Sequence, residues 1–88
     1  MKIELQYTKS FLKSGKGLPV AQQKKLAELL GLMCENPYNA LLHTKPLSGQ
    51  LAGFYSFRIT REWRVIFQFL SPATIKLVDV AHRKDIYR

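Results

Sequence analysis

One cysteine, Cys34, stands in 88 residues, so no internal disulfide can form. In its leucine-rich surroundings it reads as a small core residue rather than a nucleophile. A reducing, cytoplasmic setting is expected. Long apolar runs are also lacking. None nears the ~18 residues that a membrane span needs, and the opening MKIELQYTKS has no continuous apolar stretch of the secretory-signal kind. Acidic residues are scarce, six against 14 Lys and Arg. Three of the six, Glu4, Glu28 and Glu35, fall in the N-terminal part of the chain. No carboxylates are spaced like those of a glycosidase or a metal nuclease. His43, His82 and Cys34 lie too far apart in sequence to suggest a zinc site. GQLAG has glycines but neither the spacing nor the strand-to-helix context of a phosphate-binding P-loop. Repeats, low-complexity tracts and linkers are missing, so residues 1–88 are expected to form one domain without cofactor or metal.

What is abundant is positive charge. The net charge of +8 favours a polyanionic partner, either nucleic acid or an acidic protein. Its distribution is uneven. Seven of the nine lysines precede residue 58, and all five arginines (Arg58, Arg61, Arg64, Arg83, Arg88) lie from 58 onward. A guanidinium grips phosphate bidentately, whereas an ammonium is a mobile point charge. The C-terminal third is therefore where phosphate would be held, unless these charges are simply a solvated face.

The apolar pattern sets the architecture. KIELQY alternates as a half-buried strand. TKSFLKSGKG (8–17) offers Thr8 or Ser10 as a helix cap and Gly15 or Gly17 as its stop. A second helix runs through VAQQKKLAELLGLMCEN with Pro19 in its first turn, and Leu26, Leu29, Leu30 and Met33 form one apolar face. Asn36-Pro37 ends it, and residues 38–52 read as a loop. Three strands follow: GFYSFRIT, WRVIFQFL and, after a turn at Ser71-Pro72-Ala73, TIKLVDVAH. The order β-α-α-β-β-β makes an α+β domain, an antiparallel sheet with a helical hairpin on one face.

Strand parity decides which cations meet. A two-residue turn at Arg61-Glu62 would put Arg58 and Arg64 on opposite faces. A three-residue turn, Thr60-Arg61-Glu62, would put them directly opposite each other. A two-residue hairpin turn wants Gly or Asn, and neither is present at 60–62. The three-residue turn is therefore expected, with Arg58 and Arg64 facing outward and Tyr55, Phe57, Ile59, Trp63, Val65, Phe67 and Phe69 facing the helices. The last strand alternates poorly, which leaves the face of His82 undecided.

The polar set that remains is His43, Lys45, Arg58, Arg61, Arg64, His82, Arg83, Lys84 and Tyr87. Such groups can cleave RNA without metal if they converge. RNA supplies its own nucleophile, the 2′-OH. The protein need only accept that proton, stabilise charge on the phosphorane and protonate the leaving 5′-oxygen. A basic domain that binds RNA without cutting it would use the same residues.

At this point the chain resembles the RelE/ParE superfamily of type II toxins. HTKPLSGQLAGFYSFRI (43–59), WRVIFQF (63–69) and VAHRKDIYR (80–88) carry the likeness. The resemblance implies the fold just described and, for the RelE-like branch, a ribosome-dependent endonuclease that enters the A site, cuts mRNA and is blocked by a cognate antitoxin. It places Lys45 at the general-base position before Pro-Leu. A lysine serves there only when neighbouring cations or burial favour its neutral form. It makes Arg58 and Arg64 ligands of the phosphate and transition state, and His82 and Arg83 the basic pair after the last strand, with either Lys45 or His82 acting as the acid or base. Tyr87 becomes the residue that orients the scissile nucleotide. Together with these, Arg61 and Lys84 are expected to hold RNA phosphate. Ser56 departs from the pattern, since RelE itself has a second catalytic lysine there. The ParE branch shares the fold but inhibits DNA gyrase and lacks the nuclease residues, so it is the alternative.

Overall fold

The computed structural model describes residues 2–86. Strand β1 (Glu4–Tyr7) leads into helices α1 (Lys9–Lys16) and α2 (Val20–Glu35). Thr8 is the cap of α1: its hydroxyl accepts the Phe11 N–H at 3.0 Å and donates to the Val78 carbonyl at 2.7 Å. Gly17 stops that helix. Pro19 precedes the first turn of α2, where its carbonyl accepts from the backbone N–H of Gln22 and Gln23. Leu26, Leu29 and Met33 are buried along α2, following the expected spacing.

The remaining strands are β2 (Lys45–Pro46), β3 (Tyr55–Arg58), β4 (Trp63–Ser71) and β5 (Thr74–His82), followed by a single helical turn, α3 (Arg83–Ile86). They form one five-stranded sheet in the order β1-β5-β4-β3-β2. The antiparallel run expected from sequence is present from β2 to β5. Strand β1, however, joins β5 in parallel. No hairpin constrains its direction, since the whole chain from α1 to β4 separates the two strands, and α1 and α2 carry the chain from β1 to β2 at the opposite edge of the sheet.

Both helices lie on one face of the sheet. Phe11, Leu18, Leu26, Leu29 and Met33 pack there against Phe57, Ile59, Val65, Phe67, Ile75, Leu77 and Val80. Tyr55, Trp63 and Phe69, expected in this core, are only half-buried at its margin. The segment 38–52 is less irregular than expected. It contains two short 3-10 turns, at Ala40–Leu42 and Gly49–Leu51, and the two residues of β2.

The poor alternation of the last strand has a physical cause. Leu77 and Val80 are both buried although they are three positions apart, an odd spacing. Ile66 pairs with Asp79, but Phe67 pairs with Leu77, so Val78 is an extra residue in β5. This bulge switches parity between the two halves of the strand. The Thr8 hydroxyl takes the carbonyl of the bulge residue and so ties α1 to it. Leu77→Ala should cost about 2–5 kcal/mol, as a large-to-small change in a packed core does. Val78→Ala at the half-buried bulge should cost about 1 kcal/mol or less. Urea unfolding of the two variants compares them, and equal costs would contradict the bulge.

Candidate functional site

The face of the sheet away from the helices collects the cations of β2 to β4. Arg58 pairs directly with Arg64, so the turn is the three-residue one. The Ile59 N–H donates to the Trp63 carbonyl at 2.9 Å and closes it. Inside the turn the Thr60 hydroxyl accepts from the backbone N–H of Glu62 (3.3 Å) and Trp63 (3.2 Å), doing without the glycine that a tighter turn would need.

Directly paired residues share a face, and this lays out two rows. Lys45 pairs with Ser56 and Ser56 with Ile66. One step along, Arg58 pairs with Arg64 and Arg64 with Ala81. Arg64 turns away from the helices as expected, yet it is only 6% exposed. Its Nη2 donates to the Arg61 carbonyl at 3.5 Å, an interaction that aims the guanidinium along the turn. Ser56 is 1% exposed and sits between Lys45 and Ile66, where the family pattern has a lysine. Arg58 lies where β2 no longer covers β3. Its Nε is buried without a hydrogen-bond partner among the described residues. A buried donor without an acceptor is costly, and a bound anionic oxygen would relieve that cost.

Beside these rows opens a cleft of about 700 Å³, lined by residues 45–51 on one side and by Asp85 and Ile86 of α3 on the other. Lys45 is exposed at this cleft. Positive φ at Gly49 (64°) and Gly53 (93°) lets the 46–53 loop fold back over β3. Arg58 contributes instead to a second, smaller hollow of about 290 Å³ at the edge of β3, which it shares with Lys25, Glu28, Leu29 and Leu32 of α2 and with Leu41 and His43.

The other expected site residues are distributed as follows. Arg61 is exposed at the tip of the turn, and Arg83 and Lys84 are exposed on α3. Tyr87 lies outside the described residues. His82 is not brought to the arginine face. It pairs with Trp63, shares the parity of Val80 and Val65, and sets its ring edge-on to the indole at 5.2 Å, while Ala81 is the neighbour of Arg64. Sequence reasoning also passed over Glu62, whose carboxylate lies 3.2 Å from His82 Nε2 and 4.0 Å from Arg83 Nε. The available signal was its place as the one acid in a turn flanked by arginines. Among the described residues no three His, Cys, Asp or Glu side chains gather as metal ligands, and no helix is long and apolar enough to cross a membrane.

No family model matches the chain, and no curated protein matches its sequence. Solved structures do match in three dimensions. A YoeB/ParE toxin from Agrobacterium tumefaciens superposes with a TM-score of 0.77 at 22% identity, covering 92% of this chain and 99% of that one. The RelBE2 toxin–antitoxin complex of Mycobacterium tuberculosis gives 0.77 at 22%, covering 94% and 100%. Escherichia coli YafQ gives 0.73 at 20%, covering 99% and 100%. The chain thus has the fold of the RelE/ParE superfamily toxins, over nearly its whole length.

The Thr60 hydroxyl is the local device that fixes the register. Thr60→Val should lower stability by about 1–2 kcal/mol through two unsatisfied backbone donors, and Thr60→Ser should recover most of it. Denaturant melts of the pair test this; a neutral Thr60→Val would show that the turn does not depend on its side chain.

Proposed function

We propose that the protein is the toxin of a type II toxin–antitoxin pair and that it cuts mRNA on the ribosome by metal-independent attack of the RNA 2′-OH. The observation that carries this reading is the direct pairing of Arg58 with Arg64, one step from the Lys45–Ser56 row, on a sheet face that adjoins an open cleft. Arg64 is held by burial and by the Arg61 carbonyl. A guanidinium fixed before substrate arrives stabilises phosphorane charge without reorganising, which is where most of the rate gain of such sites lies. Arg58 offers a buried donor for a phosphate oxygen. Lys45 at the cleft is the candidate acceptor of the 2′-OH proton. Arg61, Arg83 and Lys84 steer and hold the polyanion, so binding should weaken steeply with salt. Tyr87, outside the described residues, would orient the nucleotide as the family resemblance implies.

The toxin fold, and its presence in neighbouring structures solved as toxin–antitoxin complexes, support an antitoxin partner. The +8 charge suits an acidic antitoxin segment that folds on this surface, in the cytoplasm where ribosomes are met. One observation favours the gyrase reading of the same fold: Ser56 replaces a catalytic lysine of RelE, and its burial leaves no cation at that point of the row.

Primer extension on mRNA after induction separates the two. Ribosome-phased cuts are expected from the wild type, with cutting reduced about 10²–10³-fold in Arg64→Ala, the scale of losing one transition-state donor. Arg64→Lys should restore little, since a lysine cannot reproduce the fixed fork. Growth arrest with intact mRNA and damaged DNA would establish gyrase inhibition instead.

A further inference from the structure

His82 closes β5 and stands immediately before α3. Its Nδ1 accepts the Lys84 backbone N–H at 3.2 Å. That is an N-cap contact, with the acceptor on the cap residue and the donor two residues on. A backbone N–H can only donate, so Nδ1 carries no proton and the neutral ring holds its hydrogen on Nε2. Nε2 lies 3.2 Å from Glu62 Oε2, which fixes the same tautomer from the other side. Trp63 packs edge-on against the ring. Glu62 also holds the next residue, because its backbone carbonyl accepts the Arg83 N–H at 2.8 Å. Both imidazole nitrogens are therefore engaged in structure, on the side of the sheet away from Arg58 and Arg64.

We infer that His82 is a positioning residue rather than the acid or base of the reaction, and that Glu62 is its partner. Together they cap α3 and lock it to the β3–β4 turn. This sets the wall of the cleft that carries Asp85 and Ile86. The turn that aims Arg64 and the helical turn that closes the cleft are thus one connected unit. The consequence for catalysis rests on the ribonuclease reading above; the cap itself does not.

Two substitutions distinguish the roles. His82→Asn keeps an acceptor oxygen at the cap and has no proton to exchange near neutral pH. His82→Leu keeps bulk and removes the acceptor. His82→Asn should cut mRNA on purified ribosomes within about threefold of wild type, with an unaltered pH–rate profile. His82→Leu should lose about tenfold or more, and Glu62→Ala should lose in the same direction. Amide exchange read by NMR supplies an arm independent of activity: the Lys84 amide should exchange faster in His82→Leu and stay protected in His82→Asn. If His82→Asn is as inactive as His82→Leu while Lys84 stays protected, His82 moves a proton and the inference fails. Equal Lys84 exchange in wild type and His82→Leu also overturns it, whether or not the wild type cuts RNA.

Discussion

The three-residue turn from Thr60 to Glu62 is the constraint on which the rest of the molecule depends. Its odd length places Arg58 opposite Arg64 and, by alternation, sends Phe57, Ile59, Val65 and Phe67 to the helices. A shift of one residue would exchange the two sets and bury the arginines in the core. Acceptors in the same turn take hydrogen bonds from Arg64 (the Arg61 carbonyl) and from the Arg83 N–H (the Glu62 carbonyl), and the Glu62 carboxylate faces His82. Core, cationic face and C-terminal wall are thus set by one short segment.

The electrostatics follow from that arrangement. A buried guanidinium calls for oxygen acceptors, and the Arg61 carbonyl supplies one to Arg64 without adding negative charge. Glu62 lies on the other side of the turn, engaged with His82 and Arg83, where it organises the wall without neutralising the arginine pair. The fold shared with RelE, YoeB and YafQ toxins provides the scaffold; in the proposed reaction the named side chains would carry the chemistry.

Much of this was legible in the sequence because the relevant signals are local. Helix α2 shows its apolar face at regular spacing, Pro72 marks the last hairpin, and the lack of Gly or Asn at 60–62 fixes the parity of the arginine pair. Other features depend on contacts distant in sequence. Strand β2 is two residues long and exists only through its pairing with β3, so no period can reveal it. The bulge at Val78 inverts parity inside β5, which is why the face of His82 was undecidable from alternation. The burial of Arg64 was hidden for a related reason. Its side of the sheet was expected to be open, and no local pattern reports that Arg64 is almost fully buried there.

The chemistry of the cut ends tests the central claim most directly. Attack by the RNA's own 2′-OH, assisted by Lys45 and the arginine pair, leaves a 5′-hydroxyl on the downstream fragment and a 2′,3′-cyclic or 3′-phosphate on the upstream one. End-group analysis of fragments made on purified ribosomes should find those ends in the wild type and almost no fragments in Arg64→Ala. Downstream fragments bearing a 5′-phosphate, with 3′-hydroxyl ends upstream, would show that water rather than the 2′-OH is the nucleophile and would contradict the mechanism.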